Sequence, residues 1–181
     1  MREIWSIRHG QSEWNVADRI CGATDIPLTD TGRRQAEATG RYLLERGIRA
    51  DIILCSPLSR AAETAEIIAR ITGIPCRAEP RLTEQNFGIW EGTGPRNSPA
   101  FTQAKQQFVN SFGTGESMLR LAHRVYGLLD ELRADEAHQS AILVSHNGIA
   151  RVVCSYFHDM TNEEYAAFGV KNCEAVRYEF R

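Results

Sequence analysis

The sequence has little charge of either sign to spare. Across 181 residues, 21 lysines and arginines stand against 23 aspartates and glutamates, a formal net charge of −2. Neither a nucleic-acid backbone nor an acidic membrane surface is therefore an expected partner, and any cationic function must be local. No stretch approaches the ~20 consecutive apolar residues of a membrane span. The opening MREIWSIRHG carries charge too early for a secretory apolar segment. CxxC spacing is absent. The five cysteines, Cys21, Cys55, Cys76, Cys154 and Cys173, are odd in number, and several lie inside apolar runs as small hydrophobes do. That usage predicts free thiols in a reducing compartment and a soluble, cytoplasmic protein. Internal repeats, low-complexity tracts and long linkers are also missing. The expectation is one domain over residues 1–181, with 43% hydrophobic residues to build one sizeable core.

Where apolar residues do gather, they form short runs bounded by charge. Glu3 to Ile7 predicts a buried strand ending at Arg8 and His9. Thr29 is the predicted N-cap of a helix running to Gly47, with Ala36, Leu43 and Leu44 at roughly helical spacing. Asp51 to Cys55 predicts a second strand, and Pro57 suits the first turn of a helix that continues through Ala61 to Ile71 until Gly73 and Pro75 end it. A weaker strand at Cys76 to Ala78 precedes the irregular Arg81 to Gly92. Polar sequence with glycine and proline then runs on to Gly115, as a lid or insertion would. Glu116 to Ala134 predicts a helix, Ala141 to Val144 a strand, Gly148 to Phe157 a helix, and Ala175 to Phe180 a last strand. The expected fold class is α/β: a single-domain, three-layer α/β/α arrangement around a mostly parallel sheet.

In open α/β sheets, ligands bind outside the carboxyl ends of the strands. The first predicted strand delivers Arg8, His9 and Gly10 there. The second delivers Ser56, Pro57 and, a short turn later, Arg60. A third delivers Ser145, His146, Asn147 and Gly148. Any one of these residues has an ordinary structural explanation, but two histidines and two arginines on one rim are harder to dismiss. A zinc site built from the histidines and Glu84 is one reading of them. The arginines argue against it, because guanidinium groups repel a divalent cation and match a phosphate dianion through forked, charge-assisted hydrogen bonds. The helices opening near Pro57 and Gly148 would aim backbone N–H groups at the same anion.

IRHGQSEWN at residues 7 to 15 resembles the signature of the phosphoglycerate mutase-like, or histidine phosphatase, superfamily. GATDIPLTDTG (22 to 32), SPLSRAAETA (56 to 65), RLTEQNFGIWEG (81 to 92), TGES (114 to 117) and SHNG (145 to 148) follow in that family's order. The resemblance spans nearly the whole chain. It implies a catalytic His9 that attacks phosphorus, with Arg8, Asn15, Arg60 and His146 holding the phosphate oxygens and Glu84 as proton donor. It also implies a small phosphorylated substrate and neither a metal nor a cofactor. Asn147 stands where that family more often has glycine; asparagine tolerates unusual backbone angles, and its side chain adds a phosphate or substrate contact.

Chemistry supports these roles independently. A neutral imidazole can attack phosphorus, and flanking arginines disfavour a second positive charge on His9. Preorganised donors meet the charge on the equatorial oxygens, so catalysis is mainly positioning and electrostatics. A glutamic acid can protonate the leaving alkoxide and then take a proton from water. Asn15 is equally suited to capping a turn, and Ser56, Glu116 and Ser117 to capping or support. Trp14 and Phe87 line the pocket or pack, and Trp90 packs. His123, His138 and His158 are structural or surface residues.

The stretch from Thr93 to Thr114 is short and lacks the long basic and aromatic insertion of classical cofactor-dependent phosphoglycerate mutases. An open, short lid admits water to a phosphohistidine, which favours hydrolysis of a small phosphorylated metabolite over mutase chemistry. GATDIPLTDTG followed by SPLSRAAETA is similar to α-ribazole phosphatases, and broad-specificity and sugar-phosphate phosphatases share much of it. A phosphate-binding module without turnover is a third reading, although binding alone needs neither His9 nor Glu84.

Overall fold

The computed structural model describes residues 1–181. Five short apolar runs pair as one sheet: β1 (Glu3–Arg8), β2 (Ile52–Cys55), β3 (Cys76–Ala78), β4 (Ser140–Ser145) and β5 (Ala175–Glu179). Their order is β3-β2-β4-β1-β5. The β1–β4, β2–β4 and β2–β3 pairs are parallel, whereas β5 runs antiparallel to β1 at the edge. The central strands are buried on both faces, as parallel strands under crossover helices are.

Seven α-helices, α1 (Glu13–Val16), α2 (Asp30–Glu45), α3 (Ser59–Thr72), α4 (Pro99–Ala104), α5 (Met118–Ala134), α6 (Asn147–Phe157) and α7 (Asn162–Ala167), and two 3-10 turns at Pro80–Leu82 and Gly88–Trp90 complete the chain. Alternating strand residues sort into two cores, because successive side chains point to opposite faces. Ile7, Ile53, Cys55, Ile142 and Val144 pack with Leu43 of α2 and Ala65 and Ile68 of α3. Ile4, Leu54, Ala141 and Leu143 pack on the other face with Leu121, Val125 and Leu129 of α5 and Val152 and Val153 of α6. The result is the expected three-layer α/β/α fold.

Local signals behave as expected at several ends. The Thr29 hydroxyl accepts the Gly32 N–H at 3.1 Å to cap α2, and Gly73 closes α3 at a left-handed φ of 74°. Three departures have physical causes. Pro57 is not in the first turn of α3, which starts at Ser59. Its amide end is capped instead by Asp25, whose Oδ1 accepts both Ser59 N–H and Oγ–H at 2.8 and 2.7 Å. The Thr93 to Thr114 stretch contains α4, opened by Pro99 behind the N-cap Ser98. The short helices α1 and α7 also went unread, because four and six residues are too few for apolar periodicity to register. The insertion has its own small core, in which Phe101, Ala104 and Phe112 close on Ile20 and Phe87.

Leu129 is fully buried between α5 and the sheet. We expect Leu129→Ala to cost about 2–5 kcal/mol in urea unfolding. Leu119, 55% exposed on the same helix, should shift stability by no more than about 0.5 kcal/mol when changed to alanine. Equal losses at the two positions would contradict the packing described here.

Candidate active site

β1, β4 and β2 are adjacent and parallel, so their carboxyl ends open on one edge of the sheet. β1 presents Arg8 and then His9 at this edge. The turn that follows is tightly constrained: Gly10 donates its N–H to Thr64 Oγ1 at 3.0 Å, and a Cβ at Gly10 would lie 2.4 Å from the Gly32 carbonyl oxygen. Only glycine lets the loop cross the start of α2 there. His9 is 4% exposed, and its Nδ1 lies 2.6 Å from the Gly10 carbonyl oxygen. A carbonyl oxygen can only accept, so Nδ1 carries the proton and Nε2 keeps its lone pair. Burial, followed by the charges of Arg60 and Arg8, holds the His9 pKa well below the ordinary histidine value.

Arg60 projects from the first turn of α3 and is fully buried. Its Nη1 and Nη2 donate to the carbonyls of Thr24 and Gly22 at 2.9 and 2.7 Å. The other side of this loop is held by Glu91, which accepts the N–H groups of Ala23 and Thr24 at 2.8 Å each and that of Phe87 at 3.1 Å. The GATD segment is thus clamped between an arginine and a glutamate, and the guanidinium is fixed beside His9. At the end of β4, His146 is 1% exposed with its ring centroid 5.1 Å from that of His9. Its Nε2 lies 2.7 Å from Ser56 Oγ, and its buried Nδ1 has no partner within the protein. Burial and then Arg60 lower its pKa well below the ordinary value.

Glu84 is 5% exposed and held through both oxygens. Oε1 accepts the Gln85 N–H and Oε2 the Gly148 N–H, each at 2.9 Å. A Cβ on residue 148 would lie 2.3 Å from Oε1, so the carboxylate seats on α6 only because Gly148 has no side chain. This corrects one expectation. The N–H groups of Gly148 and Ser59 are not left open for a ligand, because the helix ends have already drawn in carboxylates of the chain, Glu84 and Asp25.

A cavity of about 290 Å³ opens in front of this group. Of the residues singled out from sequence, Arg8, His9, Asn15, Glu84 and Asn147 line it; Arg60 and His146 lie buried behind it. Asn15 Oδ1 accepts the Ser12 N–H at 3.0 Å as a cap, and the residue also lines the cavity. Asn147 accepts the Val170 N–H through Oδ1 at 2.9 Å, which leaves its amide nitrogen for a ligand. Phe87 lines the cavity and also packs, whereas Trp90 packs against Phe101. Glu116 pairs with Arg124 at 2.8 Å, and Ser117 caps α5. No three His, Cys, Asp or Glu side chains converge as a metal-binding set.

Four further cations line the cavity and were missed from sequence: Arg19, Arg96, Lys105 and Arg151. Only Arg151 carried a usable signal. It follows Asn147 by four residues and so shares its face of α6. Arg96 and Lys105 sit in the insertion, where sequence alone does not reveal the direction of the chain.

The model of the histidine phosphatase superfamily (branch 1) matches residues 4–181. The chain belongs to this superfamily. It is 32% identical over 188 residues to the probable phosphoglycerate mutase GpmB of Yersinia pestis (strain Pestoides F), which covers all of this chain and 86% of that protein. Among solved structures, a mycobacterial glucosyl-3-phosphoglycerate phosphatase in complex with VO3 superposes with a TM-score of 0.83 at 28% identity, over 98% of this chain and 90% of that one. The α-ribazole phosphatase of Shigella flexneri gives a TM-score of 0.80 at 25% identity, over 97% and 89%. The chain is thus similar to these proteins in sequence and in fold. No helix in it is long and apolar enough to cross a membrane.

The lowered pKa values of His9 and His146 have a consequence for stability. Below the unfolded value of ~6.5 the unfolded chain binds protons that the folded site refuses, so their contribution is full above that pH and is lost as pH falls towards the folded values. We expect urea unfolding to show falling stability between about pH 7.5 and 5.5, with a shallower slope in His9→Gln. An identical slope in that variant would mean that His9 takes up its proton equally in the folded and unfolded chain.

Proposed function

We propose that this protein is a phosphomonoesterase that hydrolyses a small phosphorylated metabolite through a phosphohistidine on His9. The observation that carries the proposal is the bond from His9 Nδ1 to the Gly10 carbonyl, which leaves a neutral Nε2 lone pair beside buried guanidinium groups. A phosphoryl dianion is attracted to Arg8 and Arg60, and Nε2 attacks phosphorus in line with the leaving oxygen. The P–N bond forms as the P–O bond breaks. Asn15 and Asn147 donate from the cavity wall.

His146 donates through Nδ1, the atom without a partner. This requires Nε2 to accept from Ser56. The Ser56 Oγ already accepts the Leu58 N–H at 3.3 Å, so its own proton is free for Nε2. Ser56 is accordingly a positioning residue. Glu84 supplies a proton to the departing alkoxide, then removes one from the water that attacks phosphohistidine, releasing inorganic phosphate and restoring His9. Each of its oxygens accepts one backbone N–H and keeps a second lone pair for the travelling proton.

The names of the structural neighbours support hydrolysis, and so does the shortness of the insertion from Thr93 to Thr114, which gives the cavity wall only Arg96, Asn97, Phe101 and Lys105. The relationship to a probable phosphoglycerate mutase favours a second reading, transfer of the phosphoryl group back to substrate. Assays of phosphoglycerate interconversion with and without 2,3-bisphosphoglycerate separate the two. Phosphate release should exceed interconversion, and the reverse result would make the protein a mutase.

Rapid quenching into alkali after mixing with ³²P-labelled substrate should trap label on the wild type and none on His9→Ala. A fully active His9→Ala variant would sink the mechanism. Glu84→Gln should slow the first step with alkyl phosphates by ~10²–10⁴-fold, and with nitrophenyl phosphate far less, since nitrophenolate needs no proton to leave. Equal losses with the two substrate types, measured before steady state, would place the acid elsewhere.

A further inference from the structure

The segment between α7 and β5 touches four residues of the site and has no task in the phosphate-transfer scheme. Val170 accepts Arg8 Nη1 on its carbonyl at 2.7 Å and donates its N–H to Asn147 Oδ1 at 2.9 Å. A tight turn follows. The Glu174 N–H donates to the Lys171 carbonyl at 3.1 Å, and the Lys171 N–H donates to the Glu174 carboxylate at 2.7 Å. Within the turn Cys173 has a left-handed φ of 60°, uncommon for a residue with a side chain. Thr39 of α2 pins it from outside by donating Oγ1–H to the Cys173 carbonyl at 3.0 Å. So held, the turn meets the end of β1, where the Cys173 N–H donates to the Arg8 carbonyl at 2.9 Å.

Asn172, half-buried in this turn, makes the contacts that bear on the chemistry. Its side-chain NH2 donates to the His9 carbonyl at 2.8 Å and to Asn15 Oδ1 at 3.2 Å. An amide NH2 has two protons, and both are used. The Asn15 oxygen also accepts the Ser12 N–H at 3.0 Å, so both of its lone pairs are filled. The two ends of an amide have nearly the same shape and opposite polarity, so hydrogen bonds alone decide which end a ligand meets. Turning the Asn15 amide over would set its NH2 against two donors. Its nitrogen is therefore the end left for a ligand, and a phosphate dianion is attracted to that end and repelled by the other. Joining α7 to β5 does not require this arrangement: the bonds within the turn and from Thr39 do so without the Asn172 side chain.

We propose that Asn172 is a positioning residue for phosphoryl transfer, whose single NH2 group ties the backbone of His9 to the side chain of Asn15 and fixes the Asn15 donor for phosphate. This inference rests on the phosphate-transfer reading of His9. Asn172 is not among the residues that line the cavity; it touches no reacting atom and acts through its two neighbours.

The test measures nitrophenyl phosphate turnover and vanadate inhibition in the wild type, Asn172→Ala, Asn15→Ala and the double variant. Asn172→Ala should raise KM and the vanadate inhibition constant by about 3- to 10-fold, the effect of a lost hydrogen bond. Partial unfolding would lower kcat and leave both constants as they were. The double variant should fall short of the product of the two single effects by about 3-fold or more, because without Asn15 there is no amide for Asn172 to orient. Asn172→Asp keeps the shape but sets an oxygen against the His9 carbonyl and Asn15 Oδ1, and should be impaired at least as much as Asn172→Ala. Wild-type constants in either variant, or single effects that simply multiply, overturn the proposal. Should neither variant fold, NMR of the wild type labelled with nitrogen-15 asparagine decides. The Asn172 NH2 protons should exchange with water more slowly than those of surface asparagines, and vanadate should shift the Asn15 amide. Exchange at the surface rate, or an unmoved Asn15 amide, overturns it as well. If the wild type turns over nitrophenyl phosphate and the Asn172 variants match it, only the positioning role fails; if no monoester is turned over, the phosphatase reading fails and this inference with it.

Discussion

The hydrogen bond from His9 to its own neighbour's carbonyl is the contact on which the rest of the site depends. A buried imidazole between arginines has every electrostatic reason to be neutral, but neutrality alone does not say which nitrogen keeps the lone pair. The Gly10 oxygen decides that at 2.6 Å. The arrangement works only if the turn after β1 is held still. Gly10 does this by pressing backbone to backbone against Gly32 and donating to Thr64 on α3. The packing of α2 and α3 on one face of the sheet is therefore part of the chemistry, since it fixes the tautomer of a side chain at the strand end.

A second constraint is how the cations are kept in place. Free guanidinium groups in a small cavity repel one another and lose solvation, and carboxylate partners would cancel the field an anion needs. Arg96 pairs with Asp18, but for four other cations this chain resolves the conflict with backbone carbonyls. Arg60 is held by Gly22 and Thr24, Arg8 by Val170, Arg151 by Phe168 and Lys105 by Ala166. Three carboxylates nearby serve backbone instead: Glu91 holds the Ala23–Thr24 turn, Asp25 caps α3, and Glu84 sits on the Gly148 amide of α6. Dipoles position the charges, so a net positive field is preorganised before any ligand arrives.

Most of the sheet and its long helices were legible in the sequence, because apolar runs and caps such as Thr29 act locally. The strand-end residues were legible for the same reason, once a parallel sheet was expected: Arg8 ends its strand, and His9, Ser56 and His146 follow theirs directly. Glu84 was reached through the family resemblance, and its seat on Gly148 could not be read, since the two positions are 64 residues apart in the chain. Pro57 misled because its preference for a first helical turn was outweighed by Asp25 reaching in from another loop. Lys105 and Arg96 were invisible because an insertion's direction is set by a tertiary cluster, here Phe101 and Phe112 on Phe87, that leaves no periodic trace.

The central claim is that His9 waits as a neutral imidazole with its proton on Nδ1 and its lone pair on Nε2. Nitrogen-15 NMR of the histidine-labelled protein, with His9 assigned by comparison with His9→Gln, measures this directly. The account predicts one neutral Nδ1–H tautomer that does not titrate from about pH 8 down to 5.5, well through the range where an ordinary histidine of pKa ~6.5 gains its proton. An imidazolium at pH ~7, or a neutral ring protonated at Nε2, would contradict it.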